Sequence, residues 1–242
     1  NAAPDGYTLL WGFSGPIVMN PGLYQLPFDV EKDLAPITLL TYQQFTLVVH
    51  PALAANSVKE LIALAKSKPG QLSYASAGVA TAHHLAAELF KTRARLDILH
   101  VAYRGGAPAV VAVMAGEVPI HFGSFPTTLA HVRAKRLKAL ALTGPNRAPE
   151  IAEVPTMQEQ GFPGFDVRGW NGVLAPHGTS KAIIARFNGQ FVKILALADV
   201  QENLKKNGYE IVGSTPEAFA ARIKTEKAMW AKVIKDAGIK PE

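Results

Sequence analysis

The chain has 242 residues, of which 48% are apolar; that is enough for one large domain or two small ones, without the ~18-residue apolar run of a membrane helix. Lys and Arg outnumber Asp and Glu by 25 to 19, for a formal charge of +6, but the positive residues are scattered (Lys59, Arg93, Arg104, Arg133, Lys205). The one dense cluster, "RAKRLK" at Arg133–Lys138, has no interleaved aromatics, which argues against nucleic acid and for small anions, while the absence of cysteine excludes disulfides, thiol catalysis and Cys-ligated zinc.

The sequence opens on Asn1, not Met, and no signal peptide is visible in it. "NAAPDGYTLL" reads as a polar turn feeding a strand, so the chain is expected to be processed or partial. Strands are expected at Thr8–Gly12, Leu47–Val49, Leu72–Ala75, Ile98–Tyr103, Val118–Phe122, Leu137–Thr143 and Gly172–Ala175. Helices come with start and stop signals. In "SVKELIALAKSKPG", Ser57 caps and Glu60 completes a capping box, with Val58, Leu61, Ile62 and Leu64 at helical spacing and Pro69-Gly70 as the stop. "GGAPAVVAVMAG" puts Pro108 in the first turn and Gly116 just past the last. Near the C-terminus Thr215 caps, Pro216 opens the helix, Phe219, Ile223, Trp230 and Ile234 form its apolar stripe, and Gly238 closes it.

Strand and helix in alternation predict an α/β fold with mainly parallel sheets. "TYQQFTLVV" (Thr41–Val49) and "FDVRGWNGV" (Phe165–Val173) read as crossings between two lobes. One lobe is then residues 1–46 with 170–242, and the other is the continuous stretch 47–169.

"YASAGVATAHHL", Tyr74–Leu85, starts as a strand and finishes as a helix. As a hydrolase elbow it lacks the glycine two residues before Ser76, and no base or orienting carboxylate is evident beside it. His83 and His84, adjacent on a helix, point about 100° apart and do not suit one metal ion. His84 and Glu88 have i, i+4 spacing, and His50, His100, His121, His131 and His177 show no ligand spacing. One histidine of the pair is expected to pack, and the other to be solvated or hydrogen-bonded. An anion site accounts for the glycine: free N–H groups and the positive dipole end of a helix beginning near Thr81, hydroxyls from Ser76 and Thr81, and close backbone approach at Gly78. "HVAYRGGAPA" repeats the pattern, from Tyr103 through Gly105-Gly106 to a helix beginning at Ala107 or Pro108. In a parallel sheet both turns fall on one carboxyl edge, where open α/β sheets bind ligands. Two helix N-termini at one edge suit an organic acid, with Arg104 a candidate partner.

Taken in order, "APDGYTLL", "NPGLYQLPFDVEKDLAPI", "SVKELIALAKSKPGQLSYASAGVATAHHLAAELF", "VAYRGGAPAVVAVMAGEVPIHFGS", "LKALALTGPNRAPEIAEVPTMQEQGFPGFDVRGWNGVLAPHGT" and "GYEIVGSTPEAFAARIKTE" cover nearly the whole chain. This ordered set resembles the tripartite tricarboxylate transporter receptors, the TctC or Bug family of periplasmic solute-binding proteins. The resemblance implies a two-lobed, type II periplasmic-binding-protein (Venus-flytrap) fold whose interlobe cleft closes on a small carboxylate. The ligand is a dicarboxylate, aromatic acid or amino acid, delivered to membrane permease subunits. It implies no enzyme activity, cofactor, metal or nucleic-acid partner. Carried onto this chain, the ligand-binding residues are Ser76, Gly78, Thr81, Tyr103, Gly105, Gly106 and Ala107, with Phe13, Ser14, Ser124, Phe125 and Trp170 as further candidates.

Family members begin with a strand, a Pro-Gly-rich loop, a helix and a second strand before "APDGYTLL". Without these, the first lobe is expected to lack part of its sheet and of the carboxylate clamp, to expose apolar surface, to self-associate and to bind more weakly. The other function carried by the fold is a ligand-sensing domain of a signalling or regulatory system; a helix-turn-helix would mark the regulatory form, and none is visible.

Overall fold

The structure, a computed structural model, describes residues 2–236, 238 and 239. In chain order the elements are β1 (Leu10–Phe13), α1 (Val30–Asp33), β2 (Leu34–Val49), α2 (Val58–Ser67), β3 (Ser73–Ser76), α3 (Ala82–Ala94), β4 (Leu99–Ala102) and α4 (Gly106–Ala115). There follow β5 (Ile120–Ser124), α5 (Phe125–Arg133), β6 (Lys138–Leu142), β7 (Arg168–Pro176), α6 (Lys181–Leu195), α7 (Ala198–Lys206), β8 (Tyr209–Ile211) and α8 (Pro216–Asp236). The chain divides into two compact units, Asn1–Tyr42 with Gly169–Pro241, and Gln43–Arg168. The expected boundaries were 46/47 and 169/170. The first of the observed ones falls inside β2, a single 16-residue strand, where neither composition nor a turn residue marks it.

The second unit is a sheet ordered β6–β2–β5–β3–β4. β3 runs parallel to β4 and β5, whereas β2 is antiparallel to β5 and β6, so four strands point one way and one opposes them. The sheet's side chains alternate between its faces. Ala75 packs with Val48, Val118 and Leu137 against Ala109, Val110 and Val113 of α4. Phe122 meets Phe90 of α3 at 5.8 Å and Phe165 at 6.5 Å between ring centroids. The cap at Ser57 forms as its sequence predicts: its Oγ accepts from Glu60 N at 3.1 Å, while the Glu60 carboxylate reaches back to Asn56 N at 2.8 Å. Buried Thr143 ties the two ends of the unit together, accepting from Phe45 N at 2.8 Å and donating to Val167 O at 2.6 Å.

In the first unit β7 lies between β1 and β2, and β8 pairs with β2. β1 and β7 are antiparallel, from Leu10 opposite Leu174 to Phe13 opposite Asn171. The sequence reading had neither β8 nor helices α6 and α7, although Ser180 caps α6 through a bond from Ile183 N. The apolar stripe of α8 is as expected: Phe219, Ile223, Trp230 and Ile234 are all buried. The Thr215 hydroxyl accepts from Ala218 N at 3.2 Å, and Gly238 has φ +63°.

Trp170 is 1% exposed. Its indole N–H donates to Glu226 Oε2 at 2.6 Å, and Glu226 Oε1 accepts from Arg222 Nε at 2.5 Å. A carboxylate buried on α8 thus fixes the one strong donor of a buried aromatic on β7. Removing the carboxylate strands both the indole N–H and the inward end of the guanidinium. Glu226→Leu is expected to lower stability by about 3 kcal/mol, read from urea unfolding, and more than Lys232→Leu on the solvent side of the same helix.

Candidate functional site

The geometry of the site follows from β3 and β4 lying side by side and parallel, with Ser76 opposite Ala102. The pairing continues past both strand ends. Tyr103 N donates to Ser76 O at 3.0 Å, and Gly105 N donates to Ala77 O at 3.2 Å. The loops 76–81 and 103–107 are therefore neighbours on the same carboxyl edge, and each runs into a helix. Gly78 (φ +122°) and Gly105 (φ +114°) occupy conformations that L side chains rarely adopt. Of the Gly105-Gly106 pair, Gly105 takes the positive φ as the N-cap of α4, while Gly106 is already helical.

The two hydroxyls expected to face an anion are used inside the loop. Thr81 is the N-cap of α3; its Oγ1 donates to Gly78 O at 2.7 Å and accepts from His84 N at 3.4 Å. Ser76 is fully buried. Its Oγ lies 3.1 Å from both Gly78 N and Gly78 O and 2.7 Å from His100 Nε2. These bonds hold the turn in shape. The donors left for a ligand are backbone amides of the two first turns, Ala82 and His83 on α3 and Gly106 and Ala107 on α4. α4 has no side-chain cap at all, so its dipole end is open to an acceptor. Arg104, beside this turn, is exposed.

The Ser76–His100 contact corrects the expectation that no base stands near the serine. His100 lies on β4, next to β3, and only strand pairing shows it. The pair is still not presented as a nucleophile, because Ser76 Oγ is enclosed and already committed to Gly78.

The same fold gathers four histidines from three parts of the sequence. His84 stacks on His100 at 4.1 Å, and His100 on Tyr74 at 4.9 Å. His83 stacks on His121 at 5.5 Å and meets Phe45 edge-on at 4.9 Å. Of the adjacent pair, His83 packs and His84 is hydrogen-bonded, its Nδ1 accepting from Ala80 N at 3.2 Å. Glu88 does not pair with His84; it accepts from Tyr74 Oη at 2.5 Å and Lys91 Nζ at 3.0 Å. Among the described residues no three His, Asp or Glu side chains are grouped to hold a metal ion. Burial drives the His83 pKa down to about 3, helped by repulsion from His121. Burial also takes His84 to about 4, helped by His100, and His121 to about 4. Burial pushes the Tyr74 phenol up, and the Glu88 carboxylate adds to the shift.

Of the remaining candidates, Ser124 ends β5, which runs parallel to β3 beside it, and Phe125 opens α5. Ser124 holds the N-cap position of α5 without a side-chain capping bond, and its Oγ lies 2.8 Å from Thr127 Oγ1. Phe125 is buried among Leu129, Leu142 and Ile151. In the first unit, Ser14 is buried and Trp170 is held by Glu226, whereas Phe13 is 50% exposed. Phe13 lines an apolar groove of about 520 Å³ with Trp11, Leu40 and Phe191.

A profile of the tripartite tricarboxylate transporter family receptor, TctC, matches residues 1–239. The chain belongs to the TctC family. It is 38% identical to the "UPF0065 protein in tcbD-tcbE intergenic region" of Pseudomonas sp. strain P51, over 96% of this chain and 70% of that one. It is 34% identical to "Protein BugT" of Bordetella pertussis, over 99% of this chain and 74% of that one. Among solved structures it resembles R. palustris Rpa4515 with adipate, with a TM-score of 0.92 and 30% identity over 100% of this chain and 81% of that one. It also resembles the periplasmic binding protein BugD, with a TM-score of 0.90 and 30% identity over 100% and 81%. MatC from Rhodopseudomonas palustris with bound malate gives 0.88 and 28% over 96% and 81%. TctC proteins are solute-binding receptors rather than enzymes, and among the described residues no helix is long and apolar enough to cross a membrane.

The buried histidines His83, His84 and His121 contribute a pH dependence to the stability of the second unit. Their folded pKa values lie below the ordinary 6.5, so below pH 6.5 the unfolded chain binds protons that the folded one refuses. Their contribution is complete above pH 6.5 and is lost as pH falls from there toward 4, at up to roughly 1.4 kcal/mol per pH unit for each group. Urea midpoints at pH 7.5, 6 and 5 are expected to drop steadily, and His83→Phe to flatten the slope.

Proposed function

We propose that the chain is an extracytoplasmic, periplasmic receptor that captures a small organic carboxylate for a tripartite tricarboxylate-type permease. The observation that carries this reading is the adjacency of two first turns, of α3 and α4, on one sheet edge. There the glycine conformations at 78 and 105 leave the backbone bare and the hydroxyls are spent on shaping the loops. Backbone amides at helix N-termini suit a carboxylate because they supply oriented donors without the desolvation cost of a buried cation. Family relatives bound to adipate and malate support the same ligand class here. Burial keeps His83, His84 and His121 neutral near neutral pH.

A thermal-shift screen of mono- and dicarboxylates, followed by calorimetry of those that stabilise the chain, tests the reading. Gly78→Val and Gly105→Val force a β-branched side chain onto left-handed backbone, and each is expected to weaken binding by about tenfold or more, as a ~1.4 kcal/mol loss implies, with the far-UV circular dichroism of a folded chain. No stabilisation by any carboxylate, or full affinity in both variants, would overturn it.

A further inference from the structure

Two histidines at this edge have ring nitrogens that the fold leaves without partners. His121, on β5, is fully buried, and its Nδ1 lies 2.8 Å from Ala75 O. A carbonyl only accepts, so Nδ1 carries the proton and Nε2 is a bare lone pair. That Nε2 is enclosed and has no hydrogen-bond partner. The backbone makes room for it: a Cβ on Gly123 would stand 2.9 Å from the His121 Cδ2 and 3.1 Å from Nε2. His83 is the second residue of α3. Its ring runs parallel to that of His121, and a Cβ on Gly106 would stand 3.4 Å from its Nε2, which places the imidazole against the first turn of α4. The residue keeps part of its surface exposed, yet both ring nitrogens are enclosed and unpartnered.

We propose that His83 and His121 read a hydroxyl group on the bound carboxylate, so that this receptor prefers hydroxycarboxylates to their deoxy counterparts. The proposal rests on the anion-site reading above. Burial keeps both rings neutral at physiological pH. The pair then offers an acceptor on His121, and one donor and one acceptor on His83. A carboxylate oxygen cannot satisfy the lone pair of His121, and an ammonium cannot satisfy the N–H of His83. A hydroxyl both donates and accepts, and so meets both needs. Sites that hydrogen-bond a ligand hydroxyl discriminate strongly against the analogue lacking it, because their own buried polar groups are otherwise left unpaired. Water has the same donor and acceptor chemistry, and a water on the pair would give no such discrimination.

The test is calorimetry at pH 7.5 with matched pairs: malate and succinate, 2-hydroxyglutarate and glutarate, lactate and propionate. In at least one pair the hydroxylated member is expected to bind about tenfold tighter or more. His83→Phe, which keeps the ring contact with Phe45 and removes both nitrogens, is expected to bring that ratio toward one. His83→Gln, which restores a donor and an acceptor, is expected to recover part of it. Carboxylates bound without hydroxyl preference, or a preference unchanged in His83→Phe, would overturn this inference alone and assign water to the pair. Failure of every carboxylate, hydroxylated or not, would overturn it together with the receptor reading.

Discussion

Two backbone bonds past the ends of two short strands, Tyr103 N to Ser76 O and Gly105 N to Ala77 O, hold the candidate site together. They extend the parallel register of β3 and β4 beyond the sheet, so that two turns from different strand–helix units become one surface. Without that register each turn is an ordinary strand-to-helix connection. With it, the N-termini of α3 and α4 lie at one edge, which is the arrangement the proposed carboxylate site rests on.

The polar side chains around this edge serve the backbone rather than an anion. Ser76 and Thr81 both bond Gly78, and Thr81 caps α3. These bonds fix the loop's shape in the absence of any ligand. The aromatic and imidazole stack beneath it, Tyr74 with His100 and His84, is closed at one end by the Tyr74–Glu88–Lys91 chain. Both bonds fall on Glu88 Oε1, so the phenol and the ammonium hold the buried carboxylate through one oxygen.

Glu226 plays a comparable part in the first unit. It joins β7 to α8 through the Trp170 indole and is balanced by Arg222, whose guanidinium also lies over the ring of Tyr42 at 5.2 Å. Trp170, a candidate ligand contact from its place near a chain crossing, is instead held inside the unit by this partner on α8. A buried indole N–H needs an acceptor, and here α8 supplies one.

The sequence alone determined what depends on a few neighbouring residues. The caps at Ser57 and Thr215, the apolar stripe of α8, and the two glycine turns after β3 and β4 all rest on local hydrogen bonds or helical period. The ordered run of motifs carried the family and its ligand class. Only the tertiary structure decided what depends on strand register. It brought His100 to Ser76 and His121 to His83, turned Glu88 from His84 to Tyr74, and placed the unit boundary inside the unbroken strand β2. The register of β3 against β4 and β5 is set by burial of alternate side chains on both faces of the sheet. No short window of sequence contains that constraint, so the partners of the buried histidines could be known only once the sheet was assembled.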